Sequence, residues 1–231
     1  MSGSGWGYAG GYGASIAAPY PFVYKLDGGT PTTAVTLAVA KEFLREDLSV
    51  QNNVIQAALD AATLQLESEF GLVAVRRTFT YRSNGYPWRQ QQCNWNTIQL
   101  PMAPFASGCT VTSLKYRDSD GTQITIDSGD YTVQAVNGQY GACGITINQD
   151  AQWPDINLDY PDAFEAVYSI GFTDTVASVP APIRIAVLNK MLETYSRDMN
   201  ATEASHKNRM IRGGVNLVSI YGNVNNYLRV A

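Results

Sequence analysis

The sequence predicts an α+β fold: a small antiparallel helical bundle of two N-terminal helices and one late helix, an antiparallel β-sheet region inserted between them, and extended arms at both ends. Three observations predict it. Apolar residues recur at helical spacing in two early segments and one late one, the long stretch between them alternates with a period of two, and the two ends follow neither pattern. At 231 residues and 45% hydrophobic, the chain can bury one sizeable core with appendages.

The first thirty residues mix Gly, Ala and Pro with Trp6, Tyr8, Tyr12, Tyr20, Phe22 and Tyr24, a composition that breaks both helix and strand. Residues 1–34 therefore read as an arm, equally a flexible leader or one whose aromatics dock on a neighbour. The run from Thr36 to Leu44 has a capping Thr and apolar Leu37, Ala40 and Leu44, as a short helix needs. Asn52 or Asn53 is then placed to cap a longer helix whose Ile55, Leu59, Ala62, Leu66 and Phe70 recur every three or four residues, and Gly71 to end it. The two helices read as a hairpin.

Past Gly71 the period changes to two. VAVRRTFTYR, TIQLP, CTVTSLKYRD, TQITI, YTVQAV, GITIN and AFEAVYSIGF are short runs of β-branched and aromatic residues between turn signals, predicting a meandering antiparallel sheet. Ser119-Asp120-Gly121 is the sharpest turn signal and predicts a tight hairpin. Asn84 to Asn96, rich in Gln, Asn and aromatics, reads as a long exposed loop. Pro180 and Pro182 introduce the late helix, whose Ile183, Val187, Leu188, Met191, Leu192 and Tyr195 form an apolar stripe that should return onto the first pair. The body thus runs over 35–198. The remaining 199–231 is first polar and basic, then apolar and partly alternating, the pattern of an extension that pairs with another surface.

Charge narrows the function. A net charge of −4 argues against a protein that grips nucleic acid by neutralising many phosphates. From Arg184 onward there are seven basic and three acidic residues, so a locally basic C-terminal segment follows an acidic body. No stretch approaches the roughly 20 apolar residues that cross a bilayer, and no secretion signal opens the chain, so a soluble, unsecreted protein without a membrane partner is expected. Cys93, Cys109 and Cys143 are far apart and lack C-x-x-C spacing, which predicts reduced structural thiols.

No constellation of residues carries chemistry. His206, the one histidine, stands beside Lys207 and Arg209 with no second ligand or partner carboxylate. Gly5, Gly7 and Gly10 spell a formal G-x-G-x-x-G without the strand and helix that a dinucleotide site requires. Asp118 and Asp120 resemble part of a calcium loop whose other ligands are missing. Asp155, Asp159 and Asp162 offer carboxylates without a nucleophile, and Asn200-Ala201-Thr202 is a glycosylation pattern with no secretion signal. Arg76 and Arg77 could meet a phosphate or an acidic partner, but adjacent strand residues face opposite ways, so at most one should be buried. No catalytic residue, metal ligand or cofactor is expected, and the protein is read as a non-enzyme.

In order, LAVAKEFLRED, VIQAALDAATLQLESEFG, VRRTFTY, IQLPMAPFASGCTVTSLKYRDSDG, DYTV, QWP, VYSIGF and VPAPIRIAVLNKMLETY resemble the tailed-bacteriophage head-tail connector (adaptor) family over roughly Val35 to Asp198. The spacing carries the resemblance: Leu100-Pro101 leading to Leu114-Lys115-Tyr116 and Asp120-Gly121, and Gly171-Phe172 followed by Pro180 and Pro182. It implies a structural virion protein of the neck, assembled in the host cytoplasm. Copies would form a ring, usually a dodecamer, beneath the portal, bind a tail or neck protein on the distal side and let DNA pass transiently. The helices, with Leu44, Ile55, Leu59, Leu66, Ile183, Val187 and Met191 as candidate ring-packing residues, would build the ring. The C-terminal extension, with Lys207, Arg209, Arg212, Val215, Leu217, Ile220, Tyr221, Tyr227 and Leu228, would dock on the portal. Two other readings are a tail-terminator or head-completion ring protein, usually with a β-barrel body, and a small phage-encoded hydrolase or nucleic-acid-processing factor.

Overall fold

The computed structural model describes residues 24–45, 51–87, 97–136, 138 and 141–197. Strand β1 (Tyr24–Asp27) precedes helices α1 (Leu37–Leu44) and α2 (Asn52–Phe70). Seven strands follow: β2 (Arg77–Ser83), β3 (Thr97–Gln99), β4 (Val111–Arg117), β5 (Gln123–Thr125), β6 (Tyr131–Ala135), β7 (Cys143–Ile147) and β8 (Phe164–Ile170). A 3-10 turn, Val176–Ser178, leads into α3 (Ala181–Arg197).

The three helices form where their periodicity places them. Thr36 caps α1, its side-chain oxygen accepting from the Val39 amide. The cap of α2 differs from expectation: Gln51 is the capping residue, and Asn52 and Asn53 lie inside the helix. Gln51 gives α2 no side-chain cap, and its amide oxygen instead accepts from the Tyr195 hydroxyl, so the start of α2 is tied to the last turns of α3. Gly71 ends α2 in the left-handed conformation, its amide donating to the Glu67 carbonyl. One face of each helix joins a common cluster in which Ile55, Leu59, Ala62, Ile183, Val187 and Met191 are fully buried.

The β region is not one meander. It divides into a five-stranded sheet, β1-β2-β8-β4-β5, and a three-stranded sheet, β3-β7-β6, both antiparallel. The hairpins β4-β5 and β6-β7 are local, but β2 pairs with β8 across most of the β region. A period of two marks strands without naming their partners, which explains the difference. Both sheets supply one cluster, where Phe79, Tyr81, Ile98, Leu114, Ile145, Phe164 and Tyr168 meet. Two further expectations change. Tyr24–Asp27 is a strand on β2, its Tyr24 ring stacked on Tyr81 at 5.8 Å. The start of the segment expected as an exposed loop turns inward, Tyr86 being buried against Trp153 and Phe164. The β4-β5 turn is the tight hairpin expected at Ser119-Asp120-Gly121: Gly121 N–H donates to the Asp118 carbonyl at 3.0 Å, Asp118 N–H donates to the Thr122 carbonyl at 3.1 Å, Gly121 takes φ 79, and the Asp118 carboxylate accepts from the Asp120 and Thr122 amides.

Three extended segments, around residues 72–75, 103–105 and 171–173, join the two clusters. They pair through parallel bridges and through bonds such as Val73 N–H to the Ala103 carbonyl at 2.7 Å and Gly171 N–H to the Pro104 carbonyl at 3.0 Å. Alternation within 72–74 sends Leu72 and Ala74 into the helical cluster and Val73 into the sheet cluster. The helices and sheets therefore share a hydrogen-bonded seam.

Candidate assembly surfaces

The seven candidate ring-packing residues fall inside the chain's own core. Leu44, Ile55, Leu59, Leu66, Ile183, Val187 and Met191 are between 0% and 5% exposed. A side chain with no accessible surface cannot touch a neighbour, so these residues hold the helices to one another. The candidate docking residues Lys207, Arg209, Arg212, Val215, Leu217, Ile220, Tyr221, Tyr227 and Leu228, with His206, Cys93 and most of the aromatic arm, lie outside the described residues.

What the helices offer outward is carried by other residues. With about 3.6 residues per turn, Val54, Ala57, Ala61 and Leu64, spaced three, four and three apart, line one side of α2 opposite the buried stripe. All four are exposed, Val54 by 48% and Leu64 by 56%. Polar pairs border this stripe on either side: Gln56 donates to Asp60 at 2.9 Å, and Gln65 donates to Glu69 at 2.6 Å. α2 is thus apolar on two opposite faces, where a surface helix usually has one. The outer stripe was legible at the same three-four spacing as the inner one, but one core-facing stripe already accounted for the helix and hid it. On α3 the large apolar residue left exposed among the described residues is Ile185, preceded by Arg184. Arg184 forms no ion pair among the described residues, and its Nε is shielded from solvent without a hydrogen-bond partner.

The charged residues singled out from the sequence are occupied within the chain. Both neighbouring arginines are partly covered, each side chain 15% exposed, and neither is fully buried, which agrees with the expectation that at most one would be. Arg76 sits at the segment junction and reaches Asp174 at 2.7 Å and the Ser107 carbonyl at 2.6 Å. Arg77 opens β2, crosses to α2 and grips both Glu67 oxygens at 2.9 and 2.6 Å, its guanidinium also lying over Phe79. Burial pushes the Glu67 carboxyl above its ordinary range, against the opposing pull of the Arg77 hydrogen bonds and charge. Asp162 holds Arg117 through two oxygens at 2.9 and 2.6 Å, and this bonding lowers its carboxyl below the usual value. Asp155 and Asp159 stay exposed in the same loop. Among the described residues no group of three or more His, Cys, Asp or Glu is placed to hold a metal ion.

The described cysteines are both free. Cys109 donates weakly to the Gly171 carbonyl at 3.5 Å, while Cys143 is fully buried in β7, where burial pushes its thiol up. A thiol held protonated is a poor nucleophile. From Asp118 to Ala163 the chain carries eight aspartates and no Lys, Arg, His or Glu. With Asp162 bound to Arg117, the loops of the β region form an acidic surface.

No protein-family model and no curated protein matches this chain. Solved structures do. A chain in the neck of an empty gene transfer agent (GTA) particle computed with C6 symmetry superposes with a TM-score of 0.58 at 19% identity, covering 88% of this chain and 94% of that one. One in the virion of the native GTA particle gives 0.55 at 18%, covering 87% and 94%. One in the neck of the native GTA particle computed with C12 symmetry gives 0.53 at 18%, covering 88% and 94%. The likeness spans nearly the whole of both chains. This protein therefore has the fold of a chain that stands in the neck of gene transfer agent particles, in keeping with its resemblance to the head-tail connector family.

Proposed function

We propose that this chain is a structural protein of a virion neck, a head-tail connector (adaptor) whose copies form a ring, twelve in number, beneath the portal. The ring joins the DNA-filled capsid to the tail and continues the DNA channel. The observation that carries this reading is the end-to-end likeness of fold to chains of necks computed with sixfold and twelvefold symmetry. The exposed apolar stripe on α2 supports it, because a ring subunit needs apolar surface outside its own core. So do the arginine clamps: the paired charges tie strand to helix and loop to strand, work that a scaffold needs. The body 35–198 builds the ring, and the extension 199–231 docks on the portal. The layer of helices favours a connector over a β-barrel tail terminator.

Particles carrying the chain with an N-terminal tag test this. Gold label or difference density should appear at the single vertex between capsid and tail, and label spread over the capsid or along the tail would sink the proposal. Chains ending at Asp198 should fold yet be lost from heads that contain portal.

A further inference from the structure

We infer that the outer stripe of α2 is the seat of a second copy of this chain, and that the contact is heterologous: Val54, Ala57, Ala61 and Leu64 of one subunit pack on the start of α3, around Ile185, of the next. This inference rests on the neck reading and supplies the contact that closes its ring.

Four observations converge on it. The spacing of three, four and three is the a/d seam of paired helices, and two central alanines let a partner helix approach closely. The seam is apolar and bordered by polar pairs, the layout of an interface core with its rim. Charge then selects the partner. On the border of the seam Asp60 forms no ion pair among the described residues, Glu67 being held by Arg77 and Glu69 by Lys190 of the same chain, whereas the start of α3 carries Arg184. Two α2 seams face to face would bring no cation to Asp60, but the start of α3 does. Finally, Arg184 precedes the exposed Ile185 in the sequence and forms no ion pair among the described residues. Asp60 on the border of the seam is the carboxylate that completes it. A cyclic ring requires two different faces on each subunit, and these are two different faces.

The full-length chain in purified particles tests the contact. Leu64→Glu and Asp60→Arg should leave the melting temperature of the isolated chain unchanged, since both side chains are exposed, yet reduce incorporation into particles by roughly tenfold or more. Asp60→Arg combined with Arg184→Asp should restore incorporation. Ala61→Cys combined with Ile185→Cys should give a ladder of disulfide-linked multimers on oxidation, with no ladder from either substitution alone. Normal incorporation of Leu64→Glu, failure of the charge exchange to rescue, or covalent dimers from Ala61→Cys alone would overturn the contact. Label at the capsid-tail vertex with no ladder condemns this contact and leaves the neck reading standing; label elsewhere condemns the neck reading itself.

Discussion

Gly171 shows how one residue holds two layers together. It ends β8 at φ 145, and its amide donates to the Pro104 carbonyl. A Cβ at this position would lie 2.5 Å from Arg76 Cα and 2.7 Å from Arg76 N, so backbone meets backbone with no side chain free to yield. Gly171→Ala should cost about 3 kcal/mol, combining backbone strain with a disrupted junction. A denaturation midpoint equal to the parent's would refute this. Tyr168 plays a related part, its buried hydroxyl donating at 2.7 Å to the Pro101 carbonyl. The Leu100-Pro101 and Gly171-Phe172 spacings that stand out in the sequence thus mark places where segments distant in the chain are fastened.

Between elements, the most consequential bond is the fork from β2 to α2. Arg77 and Glu67 are both largely covered, and each is the other's main source of charge compensation. Removing one partner strands the other in a low-dielectric site, whereas replacing both with apolar groups strands neither. Arg77→Ala should therefore destabilise the fold by about 3 kcal/mol. Glu67→Leu with Arg77→Met should recover most of that loss, and urea titrations of the three proteins would show it. If the double variant is no more stable than Arg77→Ala, the fork is more than a matched pair of buried charges. α2 is thus committed on its inner side twice, by apolar packing and by this fork, which leaves its outer side for a neighbour.

Over the whole molecule, charge is segregated. The stretch between Asp118 and Ala163 is acidic throughout, and seven of the sixteen Lys and Arg residues lie from Arg184 onward, against three acidic residues there. Duplex DNA should meet repulsion from these acidic loops, as the proposed channel role requires. The purified chain should not retard duplex DNA at about 0.15 M salt. Tight, strongly salt-dependent retardation would contradict the non-gripping role. Helices and sheets have separate apolar clusters but share the junction of three extended segments.

By itself the sequence determined the three helices, the caps at Thr36 and Gly71, the core stripe of α3 and the approximate extent of the strands. These features depend on residues a few positions apart, and local periodicity records them. Only the tertiary structure decided which strands are partners, that Tyr24–Asp27 and Tyr86 belong to the body, and that Arg76 and Arg77 are both engaged. It also decided which apolar residues of the helices are left outside. An apolar residue at helical spacing announces that it will be covered, and the spacing is the same whether its own chain or another covers it; Ile55 and Leu64 differ only in what the fold places over them.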